Sequence, residues 1–202
     1  LVTKTVDLGS TLGTHTLRVA NTTTPAECST TGFSQTACGL VLEFADIITT
    51  HVMNSTTTNV GGWPASELRT YVNGDIYNAL PTALKNAICD TTVVSGYGST
   101  SGETNFTSTD KLYLLSPHEV LEDKDGNTSS GIDYYDTSYN NTRQLDYYAG
   151  QNVTTSSFSG AIKQNNGSNS SWWLRSAFSS STKSFFRVNY DGDWYGQNAN
   201  TS

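Results

Sequence analysis

The chain has 202 residues, a formal net charge of −7, 14% charged residues and 35% hydrophobic ones. That length suits one domain spanning residues 1–202. The scattered lysines and arginines exclude the clustered cations that nucleic acid or an anionic membrane surface requires, and no apolar stretch approaches the roughly 20 residues needed to insert across a bilayer.

Serine, threonine and asparagine make up more than a third of the chain, so its surface is built from hydroxyls and amides rather than ions. Four tryptophans, eleven tyrosines and seven phenylalanines supply core material and exclude disorder. The sequence opens on Leu1 without a signal peptide and reads as a mature or excised segment. An extracellular or cell-surface location is the expectation.

In chain order, "TVDLGSTLGTHTLRVAN" alternates Val6 and Leu8, then Leu17 and Val19, around a glycine-rich turn and predicts a hairpin. "CSTTGFSQTAC" sets Cys28 and Cys38 across a loop whose length permits a disulfide, with two reduced thiols as the alternative. "GLVLEFADIITTHVMN" predicts a longer buried strand. "GGWPASELRTYVNGDIYNALPTALKNAI" is the clearest helical region. Pro64 lies in a first turn, Leu68, Tyr71 and Val72 share a face, and Asn73-Gly74 marks the stop. Pro81 opens a second helix through Leu84 and Ile88, with Cys89 on its apolar period as a core thiol. Strand and polar loop return in "TTVVSGYGSTSGETNFTSTDKLYLLS". "SPHEVL" has the capping-box spacing of Ser116 and Glu119, with Pro117 at the first helical position. "NTRQLDYYAG" predicts a further helix capped by Thr142 and stopped by Gly150, and "KQNNGSNSS" reads as low-complexity connection. The elements describe an α+β chain with two principal helices, small sheets and long loops.

Chemistry-bearing motifs are few. His15, His51 and His118 are far apart and H-E-x-x-H is absent, so no metal site is expected. His118 reads as an exposed helical residue. The nucleophile elbow and the phosphate loop are missing. Asp123 to Asn127 has part of a calcium loop's spacing but lacks its glycine and its final glutamate, where Tyr134 stands, and reads as a turn. Asp191 to Asp193 reads the same way. No catalytic residue and no cofactor is assigned. A carboxylate pair meeting in space stays open as a minor alternative, since nothing selects one pair among 18 acids.

Taken together and in order, "GGWPASELRTYVN", "DKLYLLSPHEV", "TRQLDYYAG" and "WWLRSAFSS…FFRVNYDGDW" resemble an uncharacterised family of bacterial surface-protein domains. Its hallmark is W-L-R-S followed by V-x-x-x-G-x-W. The resemblance implies a C-type-lectin-like fold with small twisted antiparallel sheets. It places the chain in the branch shared with formylglycine-generating enzymes and with the variable proteins of diversity-generating retroelements. Trp173, Leu174, Arg175 and Ser176 match the first motif, and Val188, Gly192 and Trp194 the second. The resemblance makes them structural, with Arg175 an internal hydrogen-bonding anchor. The enzymes' copper-binding cysteine pair has no counterpart near the C-terminus, and the lectin calcium motifs are absent, so neither activity carries over. The family usually finishes with a further strand of the G-V-x-P-A type, which is not found up to Ser202; either that end is trimmed here or it is supplied differently.

Between Ser171 and Asn198 the rings are embedded in serine and asparagine. Strand alternation through "SFFRVN" puts Phe186 and Val188 inward with Trp194, leaving Phe185, Arg187 and Asn189 outward; the opposite register is the alternative. With Tyr190, Asp193 and Tyr195 at the following turn, and Ser179 and Lys183 at the edge, these residues form the expected ligand-binding face. The expected function is a surface-displayed, adhesin-like module for an unknown protein or glycan ligand. The competing readings are a spacer domain of a larger surface protein and a self-contained aromatic core.

Overall fold

The apolar alternation at the start of the chain produces the expected hairpin. In the computed structural model, which describes residues 2–202, β1 (Thr3–Asp7) pairs antiparallel with β2 (Thr14–Asn21) across α1 (Gly9–Leu12). β3 (Val41–Phe44) joins the far side of β2 in a three-stranded sheet. The longer strand expected here ends at Phe44, because the chain then turns toward a distant partner. Ile47 donates its N–H to the Gln164 carbonyl, and Asp46 Oδ1 accepts from Gln164 N at 3.0 Å.

The helical region comprises α2 (Gly62–Ala65), α3 (Glu67–Tyr71), α4 (Tyr77–Ala79) and α5 (Thr82–Ala87), with a wider π-type turn over Val72–Ile76. Ser66 caps α3 by accepting from Arg69 N at 3.1 Å. The stop expected at Asn73-Gly74 does not occur, and helix runs through it. The Asn73 side chain donates to the Arg69 and Leu112 carbonyls and accepts from the N–H groups of Lys111 and Leu112. It fastens the helix to a neighbouring segment instead of capping an end. Because α5 ends at Ala87, Cys89 falls beyond the helix face and is exposed, contrary to the core expectation.

β4 (Thr91–Ser95) and β5 (Phe106–Asp110) pair antiparallel. α6 (Pro117–Val120) carries the complete capping box of Ser116 and Glu119. α7 (Ile132–Tyr135) follows, and α8 (Asp146–Gly150) begins later than expected. Thr142 does not cap it, because its hydroxyl donates to Glu119 Oε1 at 2.8 Å. His118 is partly buried rather than exposed, its Nδ1 lying 3.0 Å from Asp133 Oδ1. Burial alone would lower its pKa, but the hydrogen bond to Asp133 and the surrounding acids raise it.

The segment read as low-complexity connection is a hairpin. β6 (Lys163–Asn165) and β7 (Ser168–Ser170) meet across Asn166 and Gly167, whose φ values are 50° and 81°. β8 (Trp172–Ala177), β9 (Ser184–Val188) and β10 (Trp194–Asn198) complete an antiparallel sheet with β9 central. Cys28 and Cys38 form the expected disulfide. Among the described residues, no helix is long and apolar enough to cross a membrane.

Three apolar clusters hold these elements together. The first gathers Val120, Leu121, Ile132, Leu145, Tyr148, Leu174, Phe186 and Val188. The second joins Met53, Trp63, Leu68, Val93, Trp173 and Phe185. The third packs Val6, Leu8, Leu17 and Leu80 under the N-terminal sheet. The sheet of β8, β9 and β10 is thus the wall between the first two.

Candidate functional site

The W-L-R-S residues lie at the centre of that wall. Trp173, Leu174, Arg175 and Ser176 are buried on β8. A buried guanidinium must satisfy five donors, and Arg175 does so. Its Nε donates to the Val94 carbonyl at 2.8 Å, and Nη1 to the Leu114 carbonyl at 3.0 Å and Glu119 Oε2 at 2.6 Å. Nη2 donates to Glu119 Oε1 at 2.6 Å and Thr36 Oγ1 at 3.2 Å. Burial would raise the Glu119 pKa, but the Arg175 cation and its hydrogen bonds hold it below the ordinary carboxylate value. Ser176 accepts from Gly96 N at 3.2 Å. Gly192 is required by space: a Cβ there would fall on the Phe158 carbonyl, and its φ is 97°. Val188 is buried and Trp194 packs against the first cluster.

The alternation expected on β9 is observed, but its second face is not outward. Phe186 and Val188 enter the first cluster, with Trp194 at 5.9 Å from the Phe186 ring. Phe185 is fully buried in the second cluster, covered by Trp63 and Leu68 from α2 and α3. It therefore cannot belong to a ligand-binding surface. Alternation assigns a face but does not say whether helices cover it.

Beyond Phe185 the same face opens. Arg187 sits opposite Trp173 on β8 and Tyr195 on β10, and its guanidinium carbon lies 5.4 Å from the Trp173 ring centroid. Arg187 and Tyr190 line a cleft of about 890 Å³. The other walls come from the β3 edge (Leu40, Leu42), α5 (Leu84) and the 111–115 segment. His51 also lines it, stacked on Tyr71 with centroids 4.5 Å apart. Leu40, Leu42 and Tyr190 remain 70%, 45% and 59% exposed.

A buried charge cluster forms one end of the cleft. Glu43 accepts from Arg18 Nε at 2.8 Å, Lys163 Nζ at 2.9 Å and the Tyr148 hydroxyl at 3.0 Å. Lys163 also donates to the Phe44 carbonyl at 2.6 Å and lies 4.8 Å from the Trp172 ring centroid. Burial would raise the Glu43 pKa, but the Lys163 and Arg18 cations lower it; burial lowers that of Lys163. Each partner is satisfied, so the cluster cements the β2–β3 edge to β6. Among the described residues, no group of three or more His, Cys, Asp and Glu could hold a metal ion.

The expected binding residues do not make one patch. Arg187 and Tyr190 share the cleft. Asn189 and Asp193 close the β9–β10 turn, Asn189 N donating to the Asp193 carbonyl, and Tyr195 is half-buried. Lys183 is exposed at the opposite end of β9, about 20 Å from Tyr190 at strand rise. Ser179 lines a separate hydroxyl-rich cup with Tyr97 and Tyr134. The sequence reading missed Leu40 and Leu42. Their trace was present: in "GLVLEF" both alternating sets carry apolar residues, yet the only acid, Glu43, is buried and the leucines face out.

No curated protein and no solved structure matches this chain. A profile described as a domain of unknown function, DUF6273, matches residues 39–202, a span that holds Arg187, Tyr190, Leu40 and Leu42 of the cleft, the Arg175–Glu119 pair and all three strands of the central wall. The chain belongs to the DUF6273 family.

Proposed function

We propose that this domain is a ligand-binding module displayed outside the cell, and that its ligand seats in the cleft walled by β8 and β9. The observation that carries the reading is the gathering of Leu40, Leu42 and Tyr190, all large and all exposed, around one concavity of about 890 Å³. Large exposed apolar side chains lining a pocket of that size mark a binding site. The Cys28–Cys38 disulfide supports an oxidising, extracytoplasmic setting. A C-type-lectin-like fold, with kinship to the variable proteins of diversity-generating retroelements, is part of the same proposal and rests on the W-L-R-S and V-x-x-x-G-x-W residues. Of the two ligand classes, the exposed Leu40 and Leu42 on the lining favour a protein, whose apolar side chains would cover them.

Capture on two arrays, one of cell-surface and matrix proteins and one of glycans, tests the reading. Wild type should retain a protein ligand that the Arg187→Ala/Tyr190→Ala double variant binds at least about tenfold more weakly, with the melting temperature within a few degrees. Capture indifferent to the double substitution would remove the cleft from the function. Absence of any ligand on both arrays would make the spacer reading the better account.

A further inference from the structure

The chain carries more acids than bases, 18 against 11, so an arginine without a carboxylate partner is the exception to explain. Arg18 pairs with Glu43, Arg69 with Asp110, Arg143 with Asp146 and Arg175 with Glu119. Arg187 alone has no ion pair among the described residues, and its buried Nε has no hydrogen-bond partner. Its position is not arbitrary. Strand alternation places it over the Trp173 ring, on the wall of the cleft. A ring beneath a guanidinium fixes its plane and leaves its edge free for a carboxylate.

The cleft is lined by polar and apolar side chains together. Leu84, Ile88 and Leu112, which pack against the third cluster, and the exposed Leu40, Leu42 and Tyr190 supply its apolar surface. These groups come from α5, the 111–115 segment, the stretch at β3 and the β9–β10 turn, so a chain with apolar side chains at several points matches the lining better than one compact group. The two carboxylates on the cleft lining, Glu43 and Asp46, are balanced by the two cations beside them: Glu43 pairs with Arg18 and Lys163, and Lys163 also feels the Asp46 charge.

We propose that the cleft receives an extended segment of a partner protein that bears large apolar side chains and a carboxylate, the apolar groups filling the cleft and the carboxylate pairing with Arg187. This rests on the reading of the cleft as the binding site and adds the chemistry of its occupant.

Selection of random dodecapeptides displayed on phage against the whole domain tests it. Enriched sequences should combine two or more large apolar residues with one Asp or Glu. For a resynthesised peptide, Glu→Gln in the peptide or Arg187→Gln in the domain should each weaken binding by about tenfold to a hundredfold, and both together no further. Arg187→Glu should shift selection toward Lys or Arg at the same peptide position. Enriched peptides without an acid, or affinity indifferent to Arg187→Gln, would overturn the proposed chemistry. In either case the cleft itself would stand if a bulky maleimide on Cys89, the free thiol on its wall, still blocked the peptides. An absence of enrichment would also overturn it, and array capture that depends on Arg187 and Tyr190 would then show that the binding-module reading survives separately.

Discussion

Every N–H of the Arg175 guanidinium is aimed at an acceptor inside the protein, and both oxygens of Glu119 answer it. Removing one partner of such a pair leaves the other charged, buried and alone. Arg175→Ala should therefore destabilise the domain by about 3–5 kcal/mol, read as a lowered urea midpoint. Arg175→Met, of similar length, should recover packing but not the stranded carboxylate, and Glu119→Gln/Arg175→Met should recover part of the loss. An unchanged midpoint for Arg175→Ala would show that the network contributes nothing. The anchor role of Arg175 was what the W-L-R-S resemblance implied, since an arginine buried among tryptophans needs internal acceptors. Glu119 was legible only as half of a helix cap. Its second duty depends on β8 crossing α6, and on Thr36 donating from a loop far away in the chain, which no local spacing encodes.

Two Asn-Gly dipeptides met opposite fates at the scale of elements. Asn166-Gly167 turns a hairpin, whereas Asn73-Gly74 lies within continuous helix. The dipeptide favours a turn in both places. At Asn73 four hydrogen bonds to the helix and to residues 111–112 outweigh that preference, and at Asn166 the flanking short strands agree with it. Gly74 then occupies a helical site with open space where a Cβ would stand. Gly74→Ala should stabilise the domain by about 0.4–1 kcal/mol, chiefly by restricting the unfolded chain, and raise the thermal midpoint. A lowered midpoint would mean that the wide turn depends on glycine itself. The capping box at Ser116 and the first hairpin were readable for the complementary reason: their signals are local and nothing distant contradicts them. The β9 faces were readable as alternation, but not the helices that cover Phe185.

For the molecule as a whole, the disulfide closes a short loop beside the first cluster, where Ala37 is buried. Reduction should cost about 2–3 kcal/mol by relaxing the constraint on the unfolded chain. Melting curves with and without reductant should separate accordingly, and coincident curves would show the bridge to be neutral. Cys89 should react with maleimide in the native protein, because it is exposed and unpaired.

The wall shared by two clusters also governs how the domain can diverge. Phe185 faces one cluster and Phe186 and Val188 the other, so a change at any of them opens a void or a clash on a different side. Gly192 is held by the Phe158 carbonyl. Evolutionary latitude is left at Arg187, at Tyr190 in the exposed turn, and at Leu40 and Leu42 on the opposite lip. These positions come from two distant stretches of chain and meet across one opening. On the proposed binding reading, descendants of this sequence would acquire new specificities by exchanging residues along that margin, while the interior behind it stays under a veto from both sides.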